Sequence, residues 1–64
     1  RESTVRDIAH RAAKDVRATA KDMTLPPMGA HDRYIVHLAL KDERGIQTRS
    51  EGHGPTRRVR IRPT

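Results

Sequence analysis

Apolar residues recur at three- and four-residue spacing through the first part of the chain: Val5, Ile8, Ala9, Ala12, Val16 and Ala20, with Ala13 beside them. That spacing predicts a helix over residues 4–20 with one apolar stripe. Thr4 followed by Asp7 is a capping-box variant that would start it. Arg6, Asp7, Lys14, Asp15 and Arg17 fall beside the stripe and read as a solvated face of mixed sign. From Lys21 to Leu25 the pattern changes to alternation, which puts Met23 and Leu25 on one side of a short strand. Pro26 and Pro27 stop it, because neither can donate a ladder hydrogen bond.

A second helix follows, carried by Ile35, Val36, Leu38, Ala39 and Leu40. Gly29 is its expected N-cap, Asp32 complements the positive end of its dipole, and Gly45 ends it in a left-handed conformation. Ile46 to Ser50 and Arg57 to Arg62 alternate again and predict two paired strands. Glu51-Gly52-His53-Gly54-Pro55 makes the turn between them. The order helix, strand, helix, strand, strand predicts a small α+β domain: a three-stranded sheet with both helices packed on one face. Val59, Ile61, Ile46, Met23 and Leu25 would meet the helical stripes, and periodicity leaves the strand order open. Residues 1–64 make one such domain, and a start at Arg1 without Met reads as a piece of a longer protein.

The second helix is divided sharply by chemistry. At about 100° per residue, Arg33, Arg44, His37, Lys41 and Tyr34 fall within an arc of roughly 100°. Leu38, Ile35, Ala39, Val36 and Leu40 fill most of the opposite arc and would be core. The polar arc is a cationic strip carrying a histidine and the one aromatic residue of the chain. An anionic partner suits it better than a reaction does.

Composition sharpens that picture. Lys and Arg number 14 against 8 Asp and Glu, a net charge of +6. The excess is uneven: residues 1–32 hold six basic and five acidic side chains, residues 33–64 eight and three. A basic half of this kind points to nucleic acid or an acidic surface. There is no Cys, Phe or Trp, so aliphatic packing alone supports the fold and a stability of a few kcal/mol is expected. No stretch is long and apolar enough to span a membrane, so membrane insertion is not expected. Catalysis finds no support either. His31 and His37 lie about 120° apart round the helix and cannot share a metal, His10 and His53 bring no ligand spacing, and no nucleophile elbow or Gly-rich phosphate loop is present. Neither a metal nor a cofactor is expected.

Arg33-Tyr34-Ile35-Val36-His37 is an arginine, three residues, then a histidine. Leu25-Pro26-Pro27-Met28 precedes it; Ser50-Glu51-Gly52, Pro55, Arg57-Arg58-Val59 and Ile61 follow. These blocks, in this order over roughly residues 4–63, resemble the R-3-H domain of the bacterial Jag (SpoIIIJ-associated) proteins, which also carry a KH domain upstream. The resemblance implies non-catalytic binding of single-stranded nucleic acid, chiefly RNA with single-stranded DNA tolerated, by a cytoplasmic protein with a KH domain in the same chain. It implies the same α+β fold. It makes Arg33 and His37 the motif pair, with Ser50, Glu51, Gly52, Pro55, Arg57 and Arg58 forming the adjoining loop and strand start. Gly29 stands where the family often has Asn, His31 where it is often aromatic, and Tyr34 where it is often basic.

Each site residue has a bland reading beside the functional one. Arg33 offers a bidentate fork to phosphate, or an ion pair to Glu51 that holds the loop. His37 offers an N–H donor, or a hydrogen bond that only fixes the fold. Tyr34 could stack a base, but without a second aromatic an edge-of-core position is expected. Lys41 and Arg44 would make secondary phosphate contacts while complementing the helix C-terminus. Arg57 and Arg58 are the expected phosphate contacts of the loop, whereas Arg60 and Arg62 fall on the strand side that can face away. The rival to nucleic-acid binding is a basic protein-interaction module docking an acidic partner or a membrane-associated complex, which wants the same charge.

Overall fold

The computed structural model describes all residues, 1–64. Helix α1 spans Glu2–Thr19, starting earlier than the Thr4 pattern predicts, with Arg1 as N-cap and no side-chain cap bond. The first-turn acid is Glu2, which complements the dipole in place of the expected box. At the other end Ala20 turns left-handed (φ 57°) and its N–H bonds to the Val16 carbonyl at 2.8 Å. Val5, Ala9, Ala12, Ala13 and Val16 are buried, but Ile8 is 41% exposed. At about 100° per residue the buried positions cover an arc of roughly 100° and Ile8 falls some 40° outside it.

Strand β1 is only Met23–Thr24, shorter than the predicted 21–25. The chain nevertheless stays bound beyond it: Leu25 N–H donates to Val59 O at 2.9 Å. Helix α2 spans Ala30–Leu40, capped at Gly29 in an extended conformation. It ends a turn before the predicted stop. Residues 41–44 form a turn closed by Glu43 N–H to Leu40 O at 3.0 Å, and Gly45 is left-handed at φ 81°. Arg17 of α1 holds this turn, with Nη1 3.0 Å from Glu43 Oε2 and 3.3 Å from the Arg44 carbonyl. Buried Asp32 in the first turn of α2 is paired with Arg1.

Strands β2 (Ile46–Glu51) and β3 (Arg58–Pro63) are joined through a 3-10 turn, Gly54–Thr56. The sheet is antiparallel in the order β1-β3-β2. Register sets its two faces. Thr48 opposes Ile61, Ser50 opposes Val59 and Met23 opposes Ile61, so these share the face toward the helices. Val59 and Ile61 are fully buried there with Val16 and Val36. Both helices therefore pack on one face and close a single core, the predicted α+β architecture. Leu38 departs from expectation: 47% exposed, it lies beyond the arc that α2 buries. Gly52 is needed where it stands. Its φ is 92°, and a Cβ there would sit 3.1 Å from the Thr56 carbonyl oxygen and 3.3 Å from the Arg57 Cα.

Candidate functional site

The site is built where the front of α2 meets the inner face of β2. His37 sits at the border of the buried stripe of α2, so its ring turns toward the sheet. Thr48 and Ser50 lie two apart on β2, and alternation puts both hydroxyls on that face. His37 Nδ1 is 2.7 Å from Thr48 Oγ1, and Nε2 is 3.0 Å from Ser50 Oγ. In the neutral ring one nitrogen donates and the other accepts, so one hydroxyl donates a hydrogen bond to the imidazole and the other accepts one from it. Burial lowers the His37 pKa below its ordinary 6.5, and the nearby Arg33 charge lowers it further. The ring is therefore uncharged at neutral pH, with both nitrogens engaged.

Arg33 lies one turn earlier on the same side, half-buried. Its Nε donates to the Met28 carbonyl at 3.1 Å, which fixes the plane of the guanidinium and leaves the terminal nitrogens without a protein acceptor. The alternative of an ion pair with Glu51 is not realised. Glu51 points to the other side of the sheet, where Arg60 Nη1 lies 3.3 Å from its Oε2.

Arg57 completes the group. Its Nη1 donates to the Gly52 carbonyl at 2.7 Å, and its own carbonyl accepts from Met28 N–H at 3.2 Å. The Met28 backbone thus links the two arginines: its oxygen holds Arg33 and its nitrogen holds Arg57. Neither arginine has a carboxylate partner. Two oriented cations, joined through the Met28 backbone, thus lack a carboxylate to neutralise them, and Arg33 lies one helical turn from the neutral imidazole clamp. An oxyanion is what such a group attracts.

The other predicted residues are distributed elsewhere. Arg58 is the neighbour of Arg57, but the pleat sends it to the outer face, opposite Glu51, where its Nη1 bonds the Thr56 carbonyl at 2.9 Å. Tyr34 is 58% exposed rather than at the edge of the core. Lys41 is an exposed cap residue of α2, and Arg44 has left the helix for the following turn. Of the predicted strip of five, His37 turns to β2 and Arg33 to the Met28 carbonyl, Tyr34 and Lys41 are exposed, and Arg44 lies beyond the helix. Ser50 contacts His37 directly, and exposed Pro55 is the middle residue of the 3-10 turn. Thr48 and the Met28 backbone are new to the site. That Thr48 shares a face with Ser50 follows from the two-residue period, but nothing local says that a histidine would lie between them. No group of three or more His, Cys, Asp or Glu is placed to hold a metal ion.

Comparison with known proteins agrees with the sequence motif. The profile of the R-3-H domain family matches residues 3–63. The chain is 36% identical over 61 residues to the RNA-binding protein KhpB of Clostridium symbiosum, covering 95% of this chain and 28% of that protein. It is also 36% identical over 59 residues to the RNA-binding protein KhpB of Lactiplantibacillus plantarum, covering 92% of this chain and 18% of that protein. The chain thus spans less than a third of the length of these relatives.

Proposed function

The chain belongs to the R-3-H domain family, and on that basis we propose that it binds single-stranded nucleic acid, chiefly RNA, without catalysis. The observation that carries this reading is the pair Arg33 and Arg57: each guanidinium is oriented by a carbonyl, and neither meets a carboxylate. Each presents free N–H donors to a phosphate, at little cost in side-chain freedom because the plane is already fixed. His37 acts by position rather than by charge. With both nitrogens on β2 hydroxyls, it locks α2 onto the sheet and sets the distance between the arginine-bearing helix and the loop. Ser50 and Thr48 supply hydroxyls beside the phosphate path. The match to relatives named RNA-binding proteins favours RNA as the ligand.

With two phosphates neutralised, the log–log salt slope for a short strand should be about −1.4. Affinity from one small domain is low, and attachment to a KH domain in the same chain would raise it through effective concentration. We place the protein in the cytoplasm, where RNA is available; no helix is long and apolar enough to cross a membrane.

The test is titration of a short single-stranded RNA at low and moderate salt with wild type and Arg33→Gln, alongside thermal melts. Arg33→Gln should weaken binding by about tenfold, the loss of one charge-assisted contact, while leaving the melting temperature near that of wild type. A variant that melts early and binds normally once folded would give Arg33 a structural role instead.

A further inference from the structure

The outer face of the sheet carries no helix, and its chemistry is one-sided. Register places Arg49 opposite Arg60, Gln47 opposite Arg62 and Glu51 opposite Arg58. Arg49, Arg58, Arg60 and Arg62 therefore share that face, joined by Thr24 of β1, which pairs with Arg60. Only Asp22 and Glu51 oppose them. Asp22 Oδ2 lies 3.0 Å from Arg60 Nε and 3.5 Å from Arg62 Nε, and Glu51 lies 3.3 Å from Arg60 Nη1. The Asp22 oxygen stands off the N–H direction of Arg60, whose Nε is buried without a true hydrogen bond. Both acids are thus drawn to Arg60, and Arg49 and Arg58 have no carboxylate at all. Like charges set directly across a ladder, as Arg49 and Arg60 are, destabilise a sheet, so folding alone gives no reason for them.

One free edge lies between the inner and outer faces. β2 ends the sheet, and an open groove of about 420 Å³ runs along it, lined by Lys41, Thr48, Arg49 and Arg62 among others. Thr48 belongs to the inner site, Arg49 and Arg62 to the outer face. Arg58, Arg60 and Arg62 follow one another at about 6.7 Å along β3, close to the spacing of successive phosphates on an extended single strand.

We propose that the outer sheet face is a second phosphate-binding surface, and that a single strand held first at Arg33 and Arg57 crosses the free edge of β2 and continues over Arg49, Arg58, Arg60 and Arg62. This rests on the nucleic-acid reading above and extends it from a point contact to a path. A strand that uses only the inner site is short, and a strand that reaches the outer face is longer and meets more cations. The occupant is a polyanion of regular spacing, which Asp22 and Glu51 tune by holding Arg60 in place.

The discriminating experiment uses fluorescence anisotropy with labelled oligouridylates of about four and about twelve nucleotides, lengths within the range of small single-strand-binding domains. Wild type should bind the longer strand more tightly and with a steeper salt dependence. The double variant Arg49→Gln, Arg62→Gln changes two exposed side chains outside the inner site. It should weaken the longer strand by about three- to tenfold and flatten its salt slope by about 1.4, the share of two phosphates. The shorter strand should be affected by less than about twofold. Asp22→Asn should tighten the longer strand alone. An unchanged salt slope for the longer strand, or equal losses for both lengths, would overturn the path across β2. Displacement of the longer strand by polyglutamate as readily as by unlabelled RNA would assign the outer face to an acidic polypeptide instead. The inner reading fails separately: it is lost if Arg33→Gln leaves the shorter strand unaffected, whatever the double variant does.

Discussion

Two sets of arginines lie on opposite sides of one small sheet, and they are held in different ways. On the inner side, Arg33 and Arg57 are anchored by main-chain carbonyls of Met28 and Gly52 and have no acid near them. On the outer side, Arg60 is shared between Asp22 and Glu51, Arg62 reaches the same Asp22 and Arg49 is exposed, so that only Arg58 is held by a carbonyl, that of Thr56. A carbonyl orients a guanidinium without cancelling its charge, whereas a carboxylate does both. The inner side is therefore rigid and fully charged, and the outer side is looser and partly screened. The inner arginines should matter to binding of any strand and the residues that position them, Gly52 and His37, to stability as well, whereas the outer arginines should matter to binding of longer strands alone.

The sharpest way to break that contrast is at Gly52, which both turns the chain and offers the carbonyl that holds Arg57. Gly52→Ala forces a side chain into a left-handed, crowded position, and should cost about 1–3 kcal/mol in chemical denaturation. An unaltered denaturation midpoint would show that the turn relaxes freely. Next comes His37→Ala, which strands the Thr48 and Ser50 hydroxyls against the sheet. A loss of about 1–2 kcal/mol is expected, with His37→Gln recovering part of it. Equal stability of His37→Ala and wild type would remove the clamp.

The titration of His37 gives a smaller effect with a definite sign. Burial, then the Arg33 charge, hold its pKa below 6.5 in the folded state, so the unfolded chain takes up the proton first. Stability is full above about pH 6.5 and is lost as pH falls through the lower folded value. Arg33→Gln removes the second cause, and an NMR titration of His37 should move back toward the ordinary value without reaching it. No movement would mean that burial alone sets the shift. Smallest of all, Arg49→Gln should change stability by less than about 0.5 kcal/mol, and relief of the Arg49–Arg60 opposition could even raise it. A loss of 2 kcal/mol or so would make the outer face structural, like the inner one.

Much of this protein was legible in the chain itself. The switch between spacings of three or four and alternation marks the helices and strands, because each element must turn one apolar side to a common core. Val5, Val16, Val36, Val59 and Ile61 are buried as that periodicity predicts. The motif Arg33 and His37, one turn apart, needs nothing beyond the helical repeat. Periodicity is less reliable at the margins of a stripe. Ile8, Leu38 and Tyr34 lie there, and the width of each buried arc depends on what packs against the helix rather than on the helix.

Only the tertiary structure decided how the charges are used. Docking of α2 on β2 decided between the two readings of His37, making it a neutral clamp, by supplying two hydroxyls and burying the ring. Pairing of β2 with β3 drew Glu51 to Arg60 and left Arg33 without an acid. The pleat also separated Arg57 from Arg58, adjacent in sequence and on opposite faces of the sheet. Local spacing fixes which side chains share a surface of one element. Which surfaces of different elements meet depends on how the whole core closes, and that meeting sets both the partner and the charge of each group.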